Sequence, residues 1–103
     1  MRLIEKESDI QYTILEYLRM KKVFCYKSNN VGIFNKKTGS YIPSTVKGLP
    51  DIICVIDGKY IGIEVKSKIG KQSEDQKNFQ KNLIKAGGMY ILAKSVEDIM
   101  TWI

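Results

Sequence analysis

Asp57-Gly58 stands between two apolar, β-branched runs, DIICVI at 51–56 and KYIGIEVKS at 59–67. A two-residue hairpin loop needs positive φ at both central residues, which Asp and Gly tolerate, so this segment is held to an antiparallel hairpin. Ile56 then faces Lys59, Cys54 faces Ile61 and Asp51 faces Glu64. Period-two alternation places Ile52, Cys54, Ile56, Ile61, Ile63 and Val65 on one face, the predicted core side. Asp51, Glu64 and Lys66 share the other face.

The rest of the chain supplies elements to cover such a hairpin. Residues 9–20 carry Ile10, Ile14, Tyr17 and Leu18 on one helical stripe, with Ser8 and Gln11 as a capping box and room for the helix to begin a turn earlier. Residues 22–28 are β-rich, and Asn29, Asn30 and Gly32 then mark a turn. Residues 33–46 read as a hairpin bent at Lys37, Thr38 and Gly39, and 68–72 as a basic loop. Ser73 and Gln76 form a second capping box. It opens a helix to about Ala86, predicted to bury Phe79 and Leu83 and to stop at Gly87-Gly88. A strand at 89–93 follows, and Ser95 caps a last short helix carrying Ile99 and Trp102. This order predicts an α/β fold, a mixed β-sheet flanked by helices. The chain has 103 residues, 44% of them hydrophobic, and is read as one domain, 1–103. At that length about 60–70% of the unfolded surface is buried, enough for a core without disulfide or structural metal.

Composition removes whole classes of chemistry. Histidine is missing altogether, so imidazole nucleases, histidine triads and Cys/His zinc sites each lose a required part. Catalysis must run on carboxylates, lysines, hydroxyls and a borrowed cation. Cys25 and Cys54 stand singly, with no CxxC pair, and read as small buried hydrophobes of a reducing compartment. The longest apolar runs, at 52–56 and 89–93, are too short for a membrane span, and an N-terminus with Glu5, Glu7 and Asp9 does not fit a signal peptide, so a cytoplasmic protein is expected. The net charge is +6, and it is unevenly spread. Residues 17–50 hold seven basic residues and no acid; residues 66–94 hold seven lysines against Glu74 and Asp75. Such one-signed segments favour a polyanion partner, the plain alternative being a lysine-rich solubilising surface.

The hairpin register makes Asp51 and Glu64 direct cross-strand neighbours, with Cβ atoms about 4.5–5.5 Å apart, where like charges repel. Lys66 alone offsets them if the patch is an ordinary surface cluster. The chemical alternative is a hard divalent cation, magnesium or its manganese substitute, which prefers oxygen ligands and is commonly held by one or two carboxylates plus water and phosphate oxygens. The pair would then be a metal seat beside a lysine that positions water or stabilises developing charge. Glu7 lies three and seven residues before Ile10 and Ile14, and Gln76 three and seven before Phe79 and Leu83, so both can point inward from helix starts. Glu7 reads equally as a solvated residue before its cap, and Gln76 as half of its capping box.

Pro50-Asp51 in GLPD, followed after the hairpin by Glu64-Val65-Lys66, resembles the PD-(D/E)xK nuclease signature. With Glu7 and Gln11, Asn29-Asn30 and Gly32, Ser73 and Gln76, and Gly87-Gly88 before the final strand, the chain is most similar to the virus-type replication-repair nuclease (VRR-NUC) domain. Archaeal Holliday-junction resolvases share the core and are the nearest competing assignment. The resemblance implies a restriction-endonuclease-like fold and a magnesium-dependent, structure-specific DNA endonuclease acting on Holliday junctions or other branched DNA. It further implies that Asp51, Glu64 and the Val65 carbonyl hold the metal and that Lys66 is the catalytic lysine. Glu7 would assist at the metal through water and Gln76 would support the site. The predicted DNA contacts are Lys27, Asn29, Asn30, Lys36, Lys37, Lys47, Lys68 and Lys71. Two symmetric cuts need two sites, so a homodimer is expected, with Trp102, Ile103 and Phe34 as interface material unless Trp102 packs the last helix onto its own sheet. A general nickase or a catalytically silent nucleic-acid-binding module are the other readings.

Overall fold

The computed structural model describes residues 3–28, 33–42 and 46–103, with backbone alone at 33, 34, 41 and 42. Its elements are α1 (Glu7–Met20), β1 (Phe24–Lys27), β2 (Ile33–Asn35), β3 (Ser40–Ile42), β4 (Ile52–Ile56), β5 (Lys59–Val65), α2 (Glu74–Lys85), β6 (Met89–Ala93) and α3 (Val96–Met100). Among the described residues no helix is long and apolar enough to cross a membrane.

The central hairpin forms as expected. Asp57 and Gly58 take φ of +52° and +76°, and β4 pairs with β5 through Ile56↔Lys59, Cys54↔Ile61 and Ile52↔Ile63. β1 adds antiparallel to β4, and β6 adds parallel to β5 after the crossover through α2, giving a mixed sheet in the order β1-β4-β5-β6. The molecule is therefore an α/β fold with a four-stranded mixed sheet flanked by helices. β2 and β3 form a separate two-stranded sheet, turned at 36–39, where Gly39 donates its N–H to the Asn35 carbonyl.

One sheet face is the core. Ile10, Ile14 and Leu18 of α1 and Ile99 of α3 close over Ile52, Cys54, Ile61, Ile63, Val65, Ile91 and Ala93, all essentially buried. Each fully buried aliphatic side chain contributes roughly 1.5–3 kcal/mol. Cys25 and Cys54 are free thiols directly opposed across β1 and β4, Cys54 fully buried and Cys25 partly so. Burial, with Cys25 beside it, pushes the Cys54 thiol up to about 12. The other face is closed over β5 and β6 by α2. A Cβ on Gly62 would come 3.4 Å from Leu83 and 2.7 Å from Pro50, and one on Gly88 would strike Leu83, so glycines let helix and loop approach closely.

Several expected details differ. α1 starts at Glu7 with Lys6 as its N-cap, and Ser8 is already helical, so the Ser8–Gln11 capping box does not form. Glu7 and Asp9 in the first turn complement the helix dipole instead. β1 starts at Phe24 because the helix closes with a Schellman motif through Lys22 at φ +59°, Val23 N–H bonding the Leu18 carbonyl at 3.0 Å. Phe79 and Leu83 are half-buried and nothing on α2 is fully buried, since that helix has solvent on its outer side. Ser95 is the N-cap of α3 by position, yet its side chain makes no capping bond; Asp98 instead accepts the Lys94 N–H at 2.9 Å. α3 ends before Trp102, which is 63% exposed and lines a shallow cleft with Tyr90 and Leu92 of β6. Ile103 is partly packed against the core, and the Phe34 side chain lies outside the described residues.

Candidate active site

The loop before β4 is built residue by residue. Gly48 has φ +74°, and a Cβ there would strike the Asp75 carbonyl, so only glycine lets this loop lie against the first turn of α2. Pro50 is fully buried over Gly62. Ser28, just past β1, clamps the next residue: its N–H donates to the Asp51 carbonyl at 2.9 Å, and its hydroxyl bonds the Pro50 carbonyl. The β4–β5 ladder stops at Ile52↔Ile63, and the Asp51 side chain continues it, Oδ2 accepting the Val65 N–H at 2.8 Å. Asp51 is thus fixed by backbone on both neighbouring strands.

Glu64 projects from β5 on the same face and is 1% exposed. Gln76 holds it, Nε2 donating to Glu64 Oε1 at 2.8 Å. The same Gln76 amide accepts the Ser73 N–H through its Oε1 at 2.8 Å, while Ser73 Oγ accepts the Gln76 N–H at 3.2 Å. The capping box therefore forms in full, and its glutamine also presents a donor to the buried carboxyl. Capping and site support are one arrangement.

Burial pushes the Glu64 carboxyl up from 4.5 to about 9; its hydrogen bond to Asp51 and the Asp51 charge add to the rise, Lys66 opposes it, and Glu7 adds a little more. At neutral pH Glu64 therefore holds its proton, because burial and the Asp51 carboxyl beside it disfavour the ionised form. Lys66, half-buried one residue beyond β5, has its backbone tied by an N–H bond to the Ala93 carbonyl at 2.9 Å. Glu7, the first residue of α1, is exposed and reaches Glu64 through its charge.

Asp51, Glu64, Lys66 and Gln76 are therefore brought together, with Glu7 at the margin. Among the described residues no three His, Cys, Asp or Glu side chains converge as a metal cage. The side-chain oxygens suited to a hard cation are those of Asp51 and Glu64, and the raised Glu64 carboxyl marks a place where positive charge is wanted. Lys27 ends β1 opposite Ile52, next to Asp51, and Lys47 precedes Gly48; both are exposed. Lys36, Lys37, Lys68 and Lys71 are exposed as well, and the Lys68 carbonyl accepts a bond from Lys94 Nζ at 3.2 Å. Asn29, Asn30 and Gly32 lie outside the described residues.

Sequence reasoning missed a second polar group beside the pair. Gln72 Nε2 bonds both Gln80 Oε1, at 3.0 Å, and the Tyr90 hydroxyl, at 3.1 Å. Burial raises the Tyr90 phenol to about 12; the Gln72 bond opposes the rise, and the Glu64 and Asp51 charges add to it. The parallel register puts Tyr90 next to Gly62, on the Glu64 face. Alternation in MYILA permitted this placement, but only the pairing of β5 with β6 selects it. No family model matches the chain, and no curated protein is significantly similar to it.

Proposed function

We propose that the chain is a magnesium-dependent DNA endonuclease of the virus-type replication-repair kind, on a restriction-endonuclease-like core, cutting Holliday junctions or other branched DNA as a homodimer. The observation that carries this reading is the buried Glu64 carboxyl, held by Gln76 and pushed up to about 9, on the same sheet face as Asp51, which the Val65 N–H fixes, with Lys66 beside them. Strongly shifted groups of this kind cluster at functional sites. Asp51 and Glu64 would hold the metal, with the Val65 carbonyl as a third oxygen, and manganese would substitute. When bound, such an ion polarises the scissile phosphate and lowers the pKa of water. The chain's own residues do the rest. The Val65 N–H fixes Asp51, and the Gln76 amide fixes Glu64, so both carboxylates are oriented before substrate arrives. Lys66 stabilises negative charge developing on the phosphate, and Glu7 tunes the local field. The exposed lysines of the two basic stretches bind backbone phosphates.

The test is incubation with labelled junction, flap, duplex and single-stranded DNA, with and without magnesium. Asp51→Ala and Lys66→Ala should abolish cleavage while circular dichroism stays native. Lys66→Ala activity within about tenfold of wild type, roughly 1.4 kcal/mol of barrier, overturns the role of that lysine. Full activity after exhaustive chelation overturns the metal. Light scattering should give twice the 11.8 kDa chain mass; a monomer making paired cuts in one binding event overturns the dimer, and one that only nicks points to a general nickase.

A further inference from the structure

Three polar side chains outside the apolar core join α2 to β6. Gln72, the last residue before the Ser73 cap, uses both hydrogens of its amide: Nε2 donates to Gln80 Oε1 at 3.0 Å and to the Tyr90 hydroxyl at 3.1 Å. All three residues are half-buried, where a polar group left unpaired is costly. Gln80 lies four residues beyond Gln76, one turn along the same side of α2, and Tyr90 stands beside Gly62 in the β5–β6 register. Gln72 is thus pinned between α2 and β6. The next backbone donor is the Ser73 N–H, which Gln76 Oε1 accepts at 2.8 Å. That bond decides which end of the Gln76 amide is left for Glu64. With the oxygen taken, Nε2 faces the carboxyl and donates to Glu64 Oε1 at 2.8 Å.

We propose that Tyr90 and Gln80, acting through Gln72, are positioning residues of the acid pair: by fixing the residue before α2 they hold the Ser73 N–H in place and so set the Gln76 amide with its donor toward Glu64. The proposal deepens the nuclease reading and rests on it for the metal alone. Orientation matters because the two ends of an amide are nearly equal in size and opposite in hydrogen-bonding character. A reversed Gln76 would present an oxygen to Glu64, and that oxygen repels the ionised carboxylate a hard cation requires. Ser73 by itself gives weaker control. It is exposed, and its hydroxyl, accepting the Gln76 N–H at 3.2 Å, constrains the helix start and leaves the side-chain amide free to turn. Gln72 adds two bonds to partners on separate elements. The other end of the same loop is tied as well, the Lys68 carbonyl accepting from Lys94 Nζ at 3.2 Å, so β6 and the residue after it brace 68–72 at both ends. The glutamines at 72, 76 and 80 form one relay, with Tyr90 at one end and Glu64 at the other.

The experiment follows the Gln76 side-chain amide itself by nuclear magnetic resonance, in chelator and without DNA, its signals assigned by their loss in Gln76→Leu. In wild type these protons should exchange with water more slowly than those of exposed Asn78. Tyr90→Phe, which removes one oxygen, should speed the Gln76 exchange roughly 2- to 10-fold and shift its signals, with Asn78 unchanged. Gln72→Leu breaks the same relay from the other side and should act alike, and the double variant should do no more than the larger single one. Calorimetry with manganese alone gives the second readout. Gln76→Leu should weaken manganese binding roughly 10- to 100-fold. Tyr90→Phe should cost at least about threefold in the wild-type background and nothing further in Gln76→Leu. Gln76 signals that ignore both Tyr90→Phe and Gln72→Leu overturn the proposal, and so does a Tyr90→Phe loss of manganese affinity that is equal with and without Gln76. In either case magnesium-dependent cleavage by wild type leaves the nuclease reading standing. Gln76 signals that follow Tyr90 in a protein that binds no manganese would support the relay and defeat the metal.

Discussion

Glu64 is the residue whose chemistry departs furthest from its free state, and its shift is also a statement about stability. Raised from 4.5 to about 9, it makes the folded chain hold a proton that the unfolded chain releases above about pH 4.5. The stability this proton contributes is fully present below pH 4.5 and is lost as pH rises through about 9. Urea unfolding in chelator should therefore show a loss of about 2–4 kcal/mol between pH 6 and 9, and Glu64→Gln should flatten that slope. Magnesium replacing the proton should raise the melting temperature more near pH 9 than near pH 6. Gln76 supplies a second test. Ser73→Ala removes half a cap and should cost about 1 kcal/mol. Gln76→Ala removes the other half together with the donor to a buried carboxyl, and should cost about 2 kcal/mol or more in the same unfolding assay.

At the scale of elements, α1 and α2 end in the same motif with different residues in its left-handed position. Gly88 N–H bonds the Leu83 carbonyl at 2.9 Å and Gly87 N–H the Ile84 carbonyl at 3.0 Å, with Gly87 at φ +93°. In α1 the equivalent position is Lys22 at φ +59°, a conformation that strains a residue with a Cβ. Lys22→Gly should stabilise by about 0.5–1 kcal/mol, the relief being partly offset by a more flexible unfolded chain. Gly87→Ala should cost about 1–2 kcal/mol although no atom lies within 4 Å of the new Cβ, because only the backbone objects. Chemical denaturation of the two variants checks both signs.

For the molecule as a whole, the unequal distribution of charge predicts how it meets a polyanion. If roughly five phosphates are neutralised, log affinity for DNA should fall against log salt with a slope of about −4 to −5. Lys36→Ala, Lys37→Ala and Lys71→Ala should each reduce that slope by about one without changing sequence preference. Binding indifferent to salt would argue against a nucleic-acid ligand altogether.

What could be read in advance was local. The β4–β5 register follows from two turn residues and period-two alternation, so Ile52, Cys54, Ile61, Ile63 and Val65 were legible as core and Asp51 and Glu64 as neighbours. The Ser73–Gln76 cap was legible because it spans four residues of one helix. Where a local signal had a close competitor it misled: Ser8 looked like a cap, yet Lys6 occupies that position and the helix simply starts earlier. Other features depend on which element covers which face. The second task of Gln76, the pairing that brings Tyr90 beside Gly62, and the loop that seats Gly48 against Asp75 all arise from contacts between segments distant in the chain. Turn geometry and strand alternation act over a few residues and leave a trace in the order of amino acids. Coverage is settled by packing of the whole, and it leaves none.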